Sequence, residues 1–142
     1  MTLVRCVVDA SVCVKLFIAE EDSQRAIDLF ADTETARHAP DLLLIECANV
    51  LWTKVRRGTY LASDAVSDLQ DLRATDTVVA PTAGIVVRAF ELANEFDISA
   101  YDACYVALAE SLGVPLVTAD EKLATKLTGT AHEVVTLAME IP

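Results

Sequence analysis

Leu3-Val4-Arg5-Cys6-Val7-Val8-Asp9 is a short, apolar, largely β-branched run that halts at an acid, and its reading decides the fold. A run of this length before a helical pattern is a buried strand, so Asp9 falls at the strand's carboxyl end. Working outward, Ser11 to Ile18 reads as a short helix, and Glu20, Glu21 and Asp22 before Ser23 open a second that ends near Asp32. Arg37 to Ala39 is a short strand, after which Pro40 and Asp41 open a long helical run that Gly58 closes. Ser63 to Ala74 is a polar-faced helix and Thr77 to Val79 a strand. Pro81 and Thr82 open a helix to about Phe96, and Ser99 begins another that Gly113 ends. A strand at Leu116 to Thr118, a short helix after Asp120 and a strand around Val134 to Thr136 follow. Strands alternating with helices require crossover connections. The expected class is therefore α/β: one domain over residues 1–142, a mostly parallel central sheet, and helices on both faces.

The composition limits what such a domain can do. Its 142 residues carry 11 Lys plus Arg against 22 Asp plus Glu, a net charge of −11. A nucleic-acid grip spread over the whole surface is excluded, because such grips are basic; a local one is not. Hydrophobic residues make up 54% of the chain, with mean hydropathy +0.40. No stretch approaches the roughly 18 apolar residues of a membrane span. Arg5, Asp9 and Lys15 interrupt what would otherwise resemble a signal-peptide core, so the chain reads as soluble and cytoplasmic. The apolar excess then predicts a protein partner, either an oligomer or a complex. Cys6, Cys13, Cys47 and Cys104 form no C-x-x-C pair and sit in apolar patterns as reduced core thiols. His38 and His132 are far apart, so a metal here would be held by oxygen.

Four carboxylates stand out. Asp9 and Asp120 each follow a strand, which places both at the carboxyl edge of a parallel sheet, where ligands bind in open α/β folds. Each also suits a helix N-cap. Glu46 is surrounded at helical spacings by Leu43, Ile45, Cys47 and Val50, so it faces inward or into a cleft, and its bland alternative is a pair with a core Arg. Asp102 sits in Ser99-Ala100-Tyr101-Asp102, which has the form of a capping box. If all four meet, they repel; one pair at about 4 Å costs about 4 kcal/mol at an effective dielectric near 20. A hard divalent cation, Mg²⁺ or Mn²⁺, would quench this and would let an acidic protein hold a phosphodiester locally.

Val8-Asp9-Ala10-Ser11, Glu46-Cys47-Ala48-Asn49-Val50-Leu51, Tyr101-Asp102-Ala103-Cys104-Tyr105-Val106-Ala107-Leu108-Ala109 and Leu116-Val117-Thr118-Ala119-Asp120, in this order, resemble the PIN-domain family. Within it the likeness is to the VapC-type ribonuclease toxins of prokaryotic toxin–antitoxin pairs, and it spans nearly the whole chain. The resemblance implies an endoribonuclease dependent on Mg²⁺ or Mn²⁺. Asp9, Glu46, Asp102 and Asp120 would be its catalytic and metal-holding acids, and cleavage would leave a 5′ phosphate. It further implies a homodimer and a small antitoxin covering the cleft. Ser11 and Thr118 match the family's small hydroxyl positions, and Asn49, one turn after Glu46, is placed to orient that carboxylate. The sequence departs from the pattern at Leu123, where many relatives carry an aromatic, and at Glu121, a competing carboxylate beside Asp120.

Lys54, Arg56 and Arg57 before Gly58 complement the dipole of a helix C-terminus. Lys54 and Arg57 are also candidates for RNA contact, since Arg57 returns to the Glu46 face about 16 Å along the helix. Two other readings remain open. A haloacid-dehalogenase-type phosphatase would require a D-x-D signature, whose second acid Asp9-Ala10-Ser11 lacks, and a receiver domain would require adjacent acids after the first strand and a Lys after the last, neither of which is visible. A non-catalytic PIN-like module would bind protein and no metal. Trp52 reads as a core or interface side chain.

Overall fold

The computed structural model describes residues 3–138. Strand β1 (Arg5–Val8) is followed by helices α1 (Ala10–Val14) and α2 (Ser23–Ala31), strand β2 (Ala36–Pro40), helices α3 (Leu42–Arg56) and α4 (Ala62–Ala74), and strand β3 (Val78–Ala80). Then come α5 (Val86–Phe96), α6 (Ala100–Leu112), β4 (Leu116–Thr118), α7 (Glu121–Leu127) and β5 (Val134–Thr136). The five strands form one sheet in the order β3-β2-β1-β4-β5, and all the pairings are parallel. In β1, Cys6, Val7 and Val8 are each 0% exposed. Successive strand residues point to opposite faces, so complete burial means that helices cover both sides.

The order places the site. From β1 the chain steps outward through β2 and β3, then returns to lay β4 and β5 on the other side of β1. The reversal lies between β1 and β4, paired through Val7 with Leu116 and Val8 with Val117. A crevice opens at the carboxyl ends of strands that diverge in this way. A receiver-type sheet has a different order, which removes that alternative.

Two helices differ from expectation. The run after Pro81 begins with a single 3₁₀ turn, Thr82–Gly84, and α5 starts only at Val86; Ile85, at φ −121° and ψ −5°, is the joint. Gly84 supplies no side chain to stabilise an α-helical turn there. The helix after Asp9 keeps α-helical form only to Val14, continuing through i→i−3 bonds from Lys15, Leu16 and Phe17. Gly58 and Gly113 close α3 and α6 at φ +75° and +66°, a left-handed conformation that costs other residues energy.

Arg37, on β2, ties the sheet to α2 and to the segment before β3. Its guanidinium is buried against Phe30, 4.7 Å from the ring centre, and Nη1 donates to the carbonyls of Leu29, Asp32 and Thr35 at 3.1, 3.3 and 3.1 Å. Nη2 pairs with Asp76, whose side chain is mostly in water. Arg37→Ala is expected to lower the unfolding free energy by about 3 kcal/mol, because buried carbonyls lose their donor. Asp76→Asn should cost less than about 1 kcal/mol, and urea denaturation of both variants measures the contrast.

Candidate active site

Asp9 is the first residue beyond β1 and is only 6% exposed. It caps α1, accepting from the Val12 amide at 3.2 Å. The Ser11 hydroxyl donates to Oδ1 and the Thr118 hydroxyl to Oδ2, each at 2.5 Å. Ser11 Oγ in turn accepts from the Ala119 amide at 2.9 Å, and Thr118 Oγ1 from the Asp120 amide at 3.0 Å. The turns after β1 and β4 are thus laced through one carboxylate and two hydroxyls.

Asp120 caps α7, with Oδ1 accepting from the Lys122 and Leu123 amides at 3.0 and 3.1 Å. Ser99 caps α6 by accepting from the Asp102 amide at 3.0 Å. Capping is therefore real at all three sites; it leaves Asp120 Oδ2 without a hydrogen bond among the described residues, whereas both oxygens of Asp9 already accept one. Glu46 projects from α3, and its Oε1 accepts from the Tyr105 hydroxyl at 2.6 Å. The core arginine that could have claimed it, Arg37, pairs with Asp76 instead.

All four acids line one cleft of about 420 Å³, together with Ser11, Tyr105, Glu20, Lys15 and Lys54. Among the described residues none of the four forms an ion pair with Lys, Arg or His. Their ionisation reflects this crowding. Burial pushes Asp9 up to about 6 against the pull of its hydroxyl bonds, and the Asp102 charge adds to the rise. Burial also raises Glu46, opposed by the Tyr105 bond and reinforced by Asp102. Asp102 itself is raised by burial and by Asp120, with its Ser99 bond opposing. Asp102 is thus in electrostatic reach of each of the others. Even so, among the described residues no three His, Cys, Asp or Glu side chains converge tightly enough to ligate one ion on their own.

Several supporting roles change. Asn49 makes no hydrogen bond to Glu46; it lines a separate groove on the outer side of α3, and Tyr105 holds Glu46 instead. One turn of separation places Asn49 beside Glu46 on the groove side of α3, and Glu46 lines both the groove and the cleft. Arg57 is not in the cleft, because it stands at the C-cap of α3, where the cleft has already ended; Lys54 does line it. Glu121 is exposed and outside the cleft, and Leu123 is buried core. Trp52 lies on the surface, stacked under Arg56 at 4.9 Å. Tyr105 and Lys15 escaped the sequence reading. Lys15 Nζ donates to Glu20 Oε1 at 3.2 Å and to the Glu21 carbonyl at 2.7 Å. Tyr105 follows Asp102 by one helical turn, a spacing that could have flagged it.

A larger cavity, about 680 Å³, lies at the amino ends of β4 and β5. Its Glu110 is already bound by Arg88 at 2.8 and 3.1 Å, and its His132 packs edge-on against Phe96.

The PIN domain family model matches residues 6–126. The chain belongs to the PIN-domain family. This PIN-domain protein is 37% identical over 124 residues to Ribonuclease VapC3 of Pyrobaculum aerophilum, covering 86% of this chain and 94% of that one. Its fold is similar to the crystal structure of PAE2754 from Pyrobaculum aerophilum, at 26% identity and TM-score 0.72, covering 95% and 85% of the two chains. It is also similar to a chain of a toxin-antitoxin complex from Klebsiella pneumoniae, at 18% identity and TM-score 0.60, covering 93% and 97%.

A carboxyl raised by folding binds its proton more tightly in the native than in the unfolded protein, so stability falls as pH rises between the two pKa values. With Asp9 moving from 3.8 to about 6, the PIN domain in chelator should lose stability from about pH 4 to pH 6 and level off above. Asp9→Asn should remove most of that slope and stabilise the chelated protein at pH 7 by up to about 3 kcal/mol. Thermal melts across this pH range provide the check.

Proposed function

We propose that this PIN-domain protein is an endoribonuclease that works with Mg²⁺ or Mn²⁺ and is the toxin of a toxin–antitoxin pair, a single domain across residues 1–142 acting in the cytoplasm. The observation that carries the reading is four carboxylates from separate parts of the chain lining one cleft at the sheet's switch point, with no Lys, Arg or His among the described residues in an ion pair with them. Its similarity to a ribonuclease over most of both chains supports the same chemistry.

The donor set fits a hard cation. It is all oxygen, partly buried and anionic. Mg²⁺ keeps several waters and takes one or two carboxylates plus substrate phosphate, so a cleft without a preformed three-acid cage still suits it. Asp9, Glu46 and Asp102 would hold the ion, with Asp120 completing a second, weaker position. When bound, the metal lowers the pKa of water and stabilises charge on the attacked phosphate and the leaving 3′ oxygen. Asp9 is kept in one orientation by Ser11 and Thr118, so its carboxylate presents a fixed acceptor. Asp102, central among the acids, sets the anionic field that the substrate's phosphate could not enter uncompensated. Of the two lysines at the cleft wall, Lys15 is engaged by Glu20 and the Glu21 carbonyl, which leaves Lys54 as the cation there for an RNA backbone.

Protein partners follow from the surface. Ile45, Trp52 and Tyr101, at 65%, 54% and 64% exposure, line or border an apolar groove of about 630 Å³ on α3, next to the cleft. Such a patch suits a homodimer contact and an antitoxin segment that covers the site. No helix among the described residues is long and apolar enough to cross a membrane.

Asp9→Asn and Asp102→Asn are each expected to lower RNA cleavage at least about a hundredfold with an unchanged circular dichroism spectrum. Full activity in either removes the mechanism. Mn²⁺ should raise the melting temperature of the natural protein but not of Asp9→Asn, whereas a metal-indifferent melt would favour a protein-binding module. Lys54→Glu should weaken binding of uncut RNA in chelator and flatten its salt dependence, while Arg57→Glu leaves both near wild type; filter binding across salt concentrations tests the pair.

A further inference from the structure

Tyr105 lies in the interior at 1% exposure, yet its hydroxyl reaches the cleft wall and donates to Glu46 Oε1 at 2.6 Å. A buried hydroxyl without a partner is costly, and here the partner is one of the four acids rather than a backbone carbonyl. A hydroxyl-to-carboxylate bond of this length is charge-assisted and strong. Glu46 comes from α3 and Tyr105 from α6, one turn beyond Asp102, so α6 contributes one acid directly and fixes a second across the crevice. Glu46 Oε2 accepts no hydrogen bond among the described residues. A glutamate has a long, freely rotating side chain, and a bond to one oxygen holds the other where a ligand can use it.

We propose that Tyr105 is the positioning residue of Glu46: it occupies Oε1 so that Oε2 is presented to the cation in the cleft. The inference rests on the reading of this cleft as a divalent-metal site. It assigns Tyr105 no contact with RNA or with the reacting atoms. Tyr105→Phe removes the donor and keeps the ring that fills the core.

The test is Mn²⁺ titration by calorimetry on the natural protein, Tyr105→Phe, Glu46→Gln and the double variant. Tyr105→Phe is expected to weaken Mn²⁺ binding by about tenfold to a hundredfold while its melting temperature in chelator stays near that of the natural protein. The double variant should bind no more weakly than Glu46→Gln alone, because the tyrosine then has no carboxylate to orient. In RNA cleavage, Tyr105→Phe should show a lowered kcat that excess Mn²⁺ restores, with KM for RNA unchanged. Natural Mn²⁺ affinity in Tyr105→Phe, alongside an impaired Glu46→Gln, overturns the proposal and leaves the metal site standing. Fully additive losses in the double variant also overturn it. If the natural protein binds no Mn²⁺, the metal reading itself fails and this inference falls with it.

Discussion

A single buried carboxylate holds the two halves of the sheet's carboxyl edge together. Asp9 leaves β1 at the point where the strand order reverses, and its two oxygens take hydroxyls from both sides of that point, Ser11 from its own turn and Thr118 from β4. Those hydroxyls then accept the amides that begin the turn after β4. The same network that closes the crevice therefore aims the acid into it. The arrangement is costly for an ionised group, since burial raises Asp9 despite three hydrogen bonds. Stability has been given up here for a fixed anionic position.

The repulsion among the acids is moderated by the helices that begin beside them. Asp9 and Asp120 cap α1 and α7, and Asp102 lies in the first turn of α6. Helix N-termini carry partial positive charge, so each acid meets a favourable dipole before any cation arrives. Capping and ligand binding are compatible because a cap engages part of the carboxylate's acceptor capacity. At Asp120, for example, both amides converge on Oδ1. Glu46 is the exception, set mid-helix, and it relies on the Tyr105 hydroxyl instead.

Helix α3 divides two environments. One flank carries Lys54 along the cleft, the other presents Ile45, Asn49 and Trp52 to a groove with Tyr101, and Glu46 and Val50 between them line both. This outward apolar flank accounts for part of the high mean hydropathy, which the sheet and its covering helices do not fully absorb. It also explains why Glu46 appeared enclosed when read from its neighbours in the chain: Leu43 and Cys47 are core, but Ile45 is largely exposed. Hydrophobic spacing reports which residues are apolar, and an exposed apolar groove looks the same in that pattern as a core.

Residue order and local chemistry alone determined the alternation of strands and helices, the acids at the ends of β1 and β4, the glycines that close α3 and α6, and the acidic balance that restricts any RNA grip to one place. These are properties of short range: periodicity, capping and turn conformation act over a few residues. Which side of α3 Asn49 faces, how far Arg57 stands from the acids, and that Tyr105 rather than Asn49 steadies Glu46 were decided by tertiary packing. Glu46 and Tyr105 lie on different helices far apart in the chain, and only the approach of α3 to α6 brings a phenol within hydrogen-bonding distance of that carboxylate. The strand reversal between β1 and β4 is of the same kind, because it depends on where the chain re-enters the sheet, which no local pattern encodes.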